Sequence, residues 1–237
     1  WHTFPARVEA VIAQRVERLD DDLRAVLATA SVEGELFTAE VIAQALGVAE
    51  RPLLRRLSQE LGNQHRLVQA RGELKTGPHY LATYQFSHAL FQQYLYQQLA
   101  PGERRRLHRA VAAALAALYA DNLDPVVNQL AHHYTAVADW SPAAQYHNRA
   151  GELAFQRAAL LDAVHHYRAA LAHWPQSDKP GQAALLSKLG ECLWMLGQHQ
   201  EAIEMLQTGG DLFQEVGDNP GVANAQRLLG RVYWESG

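Results

Sequence analysis

Two adjacent histidine pairs are the first residues in this sequence whose type and spacing suggest chemistry. The chain holds 12 histidines, and His132-His133 and His165-His166 lie 33 residues apart. Neutral imidazole is a common ligand of zinc and other transition metals. Ligands on one helix must stand three or four residues apart to share a face, whereas adjacent side chains point about 100° apart. No cysteine or carboxylate completes a ligand set with either pair, so we expect no metal site.

Sequence motifs for catalysis are absent. The chain contains no Gly-x-Ser-x-Gly nucleophile motif and no Gly-x-x-x-x-Gly-Lys-Ser/Thr phosphate loop. The acids Asp20-Asp21-Asp22 begin a predicted helix, where capping explains them. The single cysteine, Cys192, lies in an apolar run and is interpreted as a buried, inert thiol. We expect no catalytic residue, no enzyme activity and no cofactor bound by this chain itself.

Two groups of arginines are candidates for contact with an anionic partner. The first lies on a predicted helix and comprises Arg51, Arg55 and Arg56. It could contact DNA or another protein domain, because arginine pairs with phosphate and with guanine edges. The second begins another helix, where the dipole disfavours cations, and comprises Arg104, Arg105 and Arg109. It is either a solvated face or a contact with an acidic protein surface.

Composition predicts a folded protein that binds neither membranes nor nucleic acid over its whole surface. Of 237 residues, 48% are hydrophobic and 19% charged, and the net charge is −4. The longest apolar stretch, 110–120, is too short to span a bilayer. We therefore expect a cytoplasmic protein. Because the chain opens without methionine and its last repeat lacks a polar capping helix, we expect it to be part of a longer protein.

Residues 1–100 are predicted to form a winged-helix domain. A leading helix over 5–19 has Pro5 in its first turn, and three helices follow, over 20–33, 38–46 and 50–61. Thr38 is predicted to cap the second of these, and Gly62 to lie past the end of the third. The period then changes to that of two short strands, 67–70 and 83–86, with turn residues Gly72, Gly77 and Pro78 between them. Ser87 is predicted to cap a helix over 88–99, which Pro101-Gly102 ends.

Residues 101–237 read as an α-solenoid, so the fold class is mainly all-α. Helices of similar length and short links are predicted over 103–119, 126–138, 142–157, 160–173, 182–196, 199–215 and 221–235. Ala163, Tyr167, Ala170 and Pro175 have the spacing of the second helix of a tetratricopeptide repeat. Equivalent positions in register are Leu130, Tyr134 and Val137, and then Ala202, Leu206 and Gly209. Small residues for close helix crossings stand on the first helices at Gly151, Gly190 and Gly230.

The first helices of such repeats line a concave groove, which supplies the candidate binding site. The predicted groove residues are Asn148, Glu152, Phe155, Glu191, Trp194, Asn224, Arg227, Arg231 and Trp234. Phe155, Trp194 and Trp234 occupy one equivalent position and place an aromatic side chain at each turn. Aromatic residues among polar ones are typical of peptide recognition. The alternative is that these aromatic side chains pack on adjacent helices.

The sequence resembles the bacterial STAND-type signalling ATPases, including the large LuxR-type transcription regulators. The resemblance rests on Phe86-Ser87-His88-Ala89-Leu90, on Tyr94-Leu95-Tyr96 and on the run 103–108, Glu-Arg-Arg-Arg-Leu-His. In that family an ATPase core precedes a winged helix and a tetratricopeptide-like sensor. The resemblance implies ADP or ATP binding in the full-length protein, an ATPase domain as an intramolecular partner, and a protein, peptide or small-molecule signal in the repeat groove.

The resemblance also implies a role for His88. In relatives, a Met-His-Asp motif ends the winged helix and its histidine contacts the β-phosphate of ADP. Phe86, His88 and Ala89 lie near that position, with Ser87 inserted and alanine in place of the aspartate. His88 is either this nucleotide sensor or a partly buried histidine in a first helical turn, satisfied by backbone.

We interpret the chain as the non-catalytic regulatory and sensor part of a STAND-type protein, in which the winged helix relays nucleotide state. The alternative is a transcription regulator whose winged helix binds DNA and whose repeats sense a ligand. Glu50, Glu60 and Glu73 interrupt the basic residues of the first domain, so DNA binding through this chain is not expected.

Overall fold

The structure is a computed structural model that describes residues 6–77 and 79–236. The chain divides into two compact units, one ending at Leu123 and the other beginning at Asp124. The helices of the first unit are α1 (Ala6–Glu17), α2 (Asp21–Glu33), α3 (Ala39–Leu46), α4 (Glu50–Arg55), α5 (Ala89–Gln98) and α6 (Pro101–Leu118). Pro5, expected in the first turn of α1, lies outside the described residues.

A small antiparallel sheet completes the first unit. It contains β1 (Leu36–Thr38), β2 (Val68–Thr76) and β3 (His79–Phe86), with β3 in the centre. The sequence predicted only the parts of β2 and β3 that lie farthest from the turn between them. It did not predict β1, which has three residues. Gly72 was expected in a turn but lies within β2 with φ of 122°, at a bulge between Ala70 and Gly72. A bulge accommodates this backbone within a ladder, so the hairpin extends further than its turn-forming residues suggested.

Helix caps in the first unit agree only partly with the sequence patterns. Asp20 caps α2 by accepting a hydrogen bond from Leu23 N at 2.7 Å, as predicted, and Gly34 follows that helix. Thr38 precedes α3 but makes no side-chain cap. The prediction that Ser87 caps α5 was wrong, since its hydroxyl donates to Arg66 O and His88 occupies the cap position. Pro101 begins α6 rather than ending α5, which suits a residue without an N–H.

The helix predicted over 50–61 is longer and changes its winding. After Arg55 the chain continues as a π-helix over Arg56–Gln64, so Gly62 lies inside the helix and not past its end. The wider turns bring the carbonyl of Leu57 close to Gly62, where a Cβ would stand 3.1 Å from that oxygen. Glycine therefore fits this turn, and the same residue that suggested a helix end permits the wide winding.

The core of the first unit is formed by apolar residues from α2, α3, the π-helix and the sheet. Leu27, Ile42, Leu57 and Leu61 are fully buried. Helix α6 buries Leu107, Val111 and Leu115 and packs against α2 and α3. It therefore belongs to the first unit, whereas the sequence placed the domain boundary before it, after residue 100.

The second unit is a succession of helices. After a short 3-10 turn over Asp124–Val126 come α7 (Val127–Ala136), α8 (Trp140–Gln156), α9 (Leu160–Leu171), α10 (Lys179–Met195), α11 (His199–Glu215) and α12 (Asn219–Ser236). Consecutive helices pack together from α7 to α12, and α10 also packs on α12. Within the described part of the chain, every helix is too short or too polar to cross a membrane.

The predicted repeat register matches the helix crossings at two of its three glycines. Ala163, Tyr167 and Ala170 are buried on α9, and Ala202 and Leu206 are buried on α11. A Cβ at Gly151 would stand 2.6 Å from the Tyr167 ring, and one at Gly190 would stand 2.7 Å from Leu206 Cγ. No described helix tests the third assignment, since a Cβ at Gly230 would meet nothing within 4 Å. Helix α12 has no described helix after it to cross.

A capping motif that the sequence analysis did not identify begins α10 and recurs 40 residues later at α12. Asp178 accepts a hydrogen bond from Gly181 N at 3.0 Å, and Asp218 accepts one from Gly221 N at 3.1 Å. Proline precedes each glycine. The glycines are required by close contact, since a Cβ at either would lie within 2.8 Å of an aromatic ring.

Candidate functional site

The first helices of the repeats, α8, α10 and α12, are neighbours through polar side-chain contacts. Lys188 Nζ on α10 lies 2.5 Å from Glu152 Oε1 and 3.4 Å from Asn148 Oδ1 on α8. Trp194 Nε1 donates to Glu235 Oε2 on α12 at 2.7 Å. The structure thus brings the predicted groove residues of three helices onto one continuous surface, which we call the repeat groove.

A chain of alternating charges runs along the α8 side of the repeat groove. Asp124 forms a bidentate pair with Arg149 at 2.8 Å, Arg149 lies 3.2 Å from Glu152, and Glu152 binds Lys188. Burial would raise the pKa of Glu152, but the hydrogen bonds and charges of Lys188 and Arg149 hold it below its ordinary value. The hydrogen bonds from Arg149 likewise lower the pKa of Asp124. Both acids are therefore ionised at neutral pH, and the network is fixed in its charged state.

The three equivalent aromatic positions differ in exposure. Phe155 and Trp194 are half-buried and pack against the core of the unit, as the alternative interpretation expected. Trp234 is 88% exposed. The Arg231 guanidinium carbon lies 5.6 Å from the centre of the Trp194 ring, within cation–π range. The exposed face of Trp234 and the polar edge around Trp194 are the parts of the groove available to a partner.

The remaining predicted groove residues lie on α10 and α12 and make less defined contacts. Glu191 is half-buried on α10, and Asn224 accepts a hydrogen bond from Arg227 at 2.8 Å. Three residues that support the repeat groove were not predicted from the sequence: Lys188 and Glu235, which join the helices, and Arg149, which pairs with Asp124 and Glu152. The sequence offers little indication of these contacts, because only the spacing of the three residues from the predicted groove positions distinguishes them from ordinary surface charges.

Histidines from neighbouring helices form a pair that adjacent spacing could not reveal. Nδ1 of His147 on α8 lies 3.0 Å from Nδ1 of His166 on α9, and Thr135 Oγ1 lies 3.2 Å from His147 Nε2. Burial lowers the pKa of His147 to about 4, with further lowering by the surrounding histidines. A pocket of about 600 Å³ adjoins the pair, and its polar lining includes Asp124, Arg157, Asp162 and His165.

The first-unit arginines separate into engaged and exposed side chains. Arg56 pairs with Asp20 at 2.5 Å, with Glu60 at 3.2 Å and with Asp22 at 3.3 Å. Arg104 donates to the carbonyl of Tyr96 at 2.9 Å, at the end of α5, where a cation stabilises the helix dipole. Arg51, Arg55, Arg105 and Arg109 are exposed, and no ion pair of theirs occurs within residues 6–77 or 79–236.

The other two predicted positions are His88 and Cys192. His88 is exposed, makes no side-chain cap, and has its ring centre 6.2 Å from that of Phe91. It is therefore accessible from outside the first unit. Cys192 is buried, and burial raises the pKa of its thiol to about 12. A thiol in this state does not form a nucleophilic thiolate at neutral pH.

Comparison with known proteins supports the repeat assignment. The family of tetratricopeptide repeats matches residues 142–209, which span α8 to α11 and include the crossings at Gly151 and Gly190. No curated protein matches the chain. The second unit therefore contains tetratricopeptide repeats, a class that indicates protein–protein interaction.

Proposed function

We propose that this chain is a non-catalytic binding module whose repeat groove recognises a protein or peptide. The observation that carries the proposal is the surface shared by α8, α10 and α12 within a tetratricopeptide array. Its fixed Lys188–Glu152 pair offers directed polar contacts, and the exposed Trp234 offers apolar area. Aromatic anchors beside satisfied charges are typical of peptide-binding surfaces. A small-molecule signal in the same groove is the less favoured form of this proposal.

A peptide screen with groove variants tests this function. Immobilised random twelve-residue peptides are probed with the intact chain, and ligands are ranked by fluorescence anisotropy. We expect Trp234→Ala to weaken bound peptides about tenfold or more, as truncation of an aromatic anchor does. Leu161→Ala is the matched control, since Leu161 is 71% exposed on α9, outside the groove. Equal affinity for the Trp234 and Leu161 variants would exclude the repeat groove as the binding surface.

We further propose that the first unit is a winged helix within a STAND-type signalling ATPase. The order of α2, β1, α3, α4, β2 and β3 supports this assignment, with β2 and β3 as the wing. The ATPase domain, with its ADP or ATP, would then be an intramolecular partner. Exposed Arg105 and Arg109 are available for such a domain contact.

His88 tests the nucleotide-relay part of the proposal. In the intact protein, His88→Ala should weaken ADP retention about tenfold or more, the loss expected for one charge-assisted hydrogen bond. In the present chain, the same change should alter unfolding free energy by less than about 0.5 kcal/mol, because the side chain is exposed. ADP dissociation and chemical denaturation measure the two effects. Unchanged ADP retention would contradict the relay role, whatever the stability.

The alternative function is DNA binding by the first unit. Exposed Arg51 and Arg55 on α4 favour it, while Arg56 is occupied by three carboxylates. Anisotropy titration of a labelled random-sequence duplex should detect no complex tighter than about 1 µM at physiological salt. A sub-micromolar complex that is lost in an Arg51→Gln/Arg55→Gln variant would instead establish the DNA-binding function.

A further inference from the structure

An apolar cleft in the first unit lies beside unpaired arginines, far in sequence from the repeat groove. The cleft has a volume of about 370 Å³ between α2, the end of α3 and the start of α4. Its apolar lining includes Val26, Leu46, Val48 and Leu53, and Val48 is 47% exposed. Val26 and Leu53 belong to the buried core and form the floor of the cleft, while the exposed Val48 lies at its edge, so the cleft offers an apolar surface to an apolar group.

A second depression of about 510 Å³ adjoins the cleft and is cationic. It is lined by Arg51, Pro52, Arg55 and Arg56, and it shares Pro52 and Arg56 with the cleft. The charge of Arg56 is balanced by Asp20, Asp22 and Glu60. Arg51 and Arg55, one helical turn apart and exposed, have no ion pair among the described residues. The two positive charges that remain available therefore flank one end of the cleft.

We propose that the cleft and this arginine pair form a docking surface for a protein segment with one apolar side chain flanked by carboxylates. The apolar side chain occupies the cleft, and the carboxylates bind Arg51 and Arg55 through charge-assisted hydrogen bonds. Duplex DNA fits less well, since the cleft is lined mainly by apolar groups, which a phosphate backbone does not fill. The surface is separate from the repeat groove and does not depend on the function proposed for it.

Labelled peptides of defined charge test this proposal on the intact chain. The probes are twelve-residue peptides with one central leucine or phenylalanine flanked by glutamates in a glycine–serine background. Matched peptides carry glutamine or lysine in place of glutamate. We expect the glutamate peptides to bind with a Kd near or below about 100 µM by fluorescence anisotropy, and the glutamine and lysine peptides to bind at least about fivefold more weakly.

Two variants of the docking surface test whether peptide binding requires this cleft or only an exposed pair of arginines. Arg51→Gln/Arg55→Gln and, independently, Val48→Asp should each weaken the glutamate peptides at least about fivefold. Arg105→Gln/Arg109→Gln is the matched control, an exposed arginine pair with the same spacing on α6. Circular dichroism melting checks that each variant is folded. If Arg51→Gln/Arg55→Gln is unfolded, Val48→Asp still tests the docking surface.

The outcomes are distinct. Loss in both cleft variants with retention in the control pair supports the docking surface. Absence of peptide binding, or equal loss in the α6 control, overturns it. Preference for a labelled DNA duplex over every glutamate peptide, abolished in Arg51→Gln/Arg55→Gln, also overturns it and assigns the arginines to nucleic acid.

Discussion

At the residue scale, a buried carboxylate makes the first unit sensitive to alkaline pH. Glu33 Oε1 accepts a hydrogen bond from Thr38 N at 3.0 Å, while Oε2 is buried without a partner in the described structure. Burial raises the pKa of Glu33 to about 8, and the neighbouring Glu40 adds to the rise. The side chain is therefore protonated at neutral pH, and its role is structural.

The raised pKa of Glu33 predicts the direction of its pH dependence. The folded state holds the proton more tightly than the unfolded chain, so the stabilisation is complete below about pH 4.5 and is lost as pH rises through 8. Glu33→Gln imitates the protonated form, and its stability relative to the natural protein should rise by roughly 2–3 kcal/mol from pH 5 to pH 8. Urea unfolding at each pH measures this difference. A constant difference across the range would show that Glu33 is ionised in the folded state.

The paired histidines predict the opposite behaviour in the second unit. The pKa of His147 is lowered to about 4 by burial and by the neighbouring histidines, so the folded state binds its proton less tightly than the unfolded chain. Stability from neutral His147 is present above about pH 6.5 and is lost as pH falls towards 4. His147→Gln should reduce the destabilisation between pH 7 and pH 5 by about 1–2 kcal/mol.

Urea unfolding followed by signals from the repeat unit tests the His147 prediction. Leu161→Ala serves as the control, since Leu161 is exposed on α9, carries no titratable group and should leave the acid slope unchanged. Identical acid slopes for the natural protein and His147→Gln would mean that the imidazole contact with His166 carries no pH dependence.

At the element scale, close helix crossings decide the packing of the repeats. Gly151 faces the Tyr167 ring and Ala163 is fully buried, so neither position has space for a larger side chain. Ala163→Leu forces methylenes into this crossing and should lower the unfolding free energy by about 1–3 kcal/mol. Gly230→Ala is the control on α12, where a Cβ meets nothing within 4 Å, and should stabilise that helix by up to about 1 kcal/mol. Chemical denaturation compares them, and an unchanged Ala163→Leu protein would show that the register of α8 and α9 is wrong.

At the scale of the whole molecule, the chain is expected to bind without catalysing. It has no phosphate loop, and its one thiol is buried and protonated. We therefore expect ATP and GTP hydrolysis by the purified chain at the rate of a buffer blank. Phosphate release across successive purification steps measures this, with the Glu33→Gln protein as a preparation control. Activity that co-purifies with the chain and is abolished by a single substitution within it would contradict the expectation.

The sequence by itself determined the repeat helices, because their signals are local and periodic. Ala163, Tyr167 and Ala170 recur at one helical spacing, and helix order and the crossings at Gly151 and Gly190 follow from that period. Helix ends were less certain, since Pro101 and Gly62 are compatible with both a helix terminus and a helix interior. Whether Pro101 or Gly62 ends a helix depends on which backbone groups surround it in the folded chain.

Only the tertiary structure decided which side chains meet across helices. Adjacent histidines were expected to diverge on one helix, yet a ring nitrogen of His132 lies within 4.8 Å of one of His133. The contact of His147 with His166 joins two helices and has no fixed sequence spacing. The same holds for Lys188 with Glu152, and for Asp20 and Asp22, which pair with Arg56 while Arg51 and Arg55 stay exposed. Period and propensity specify a helix and its faces, whereas these pairings depend on how far one helix is shifted and rotated against the next, which is set by packing of the whole core.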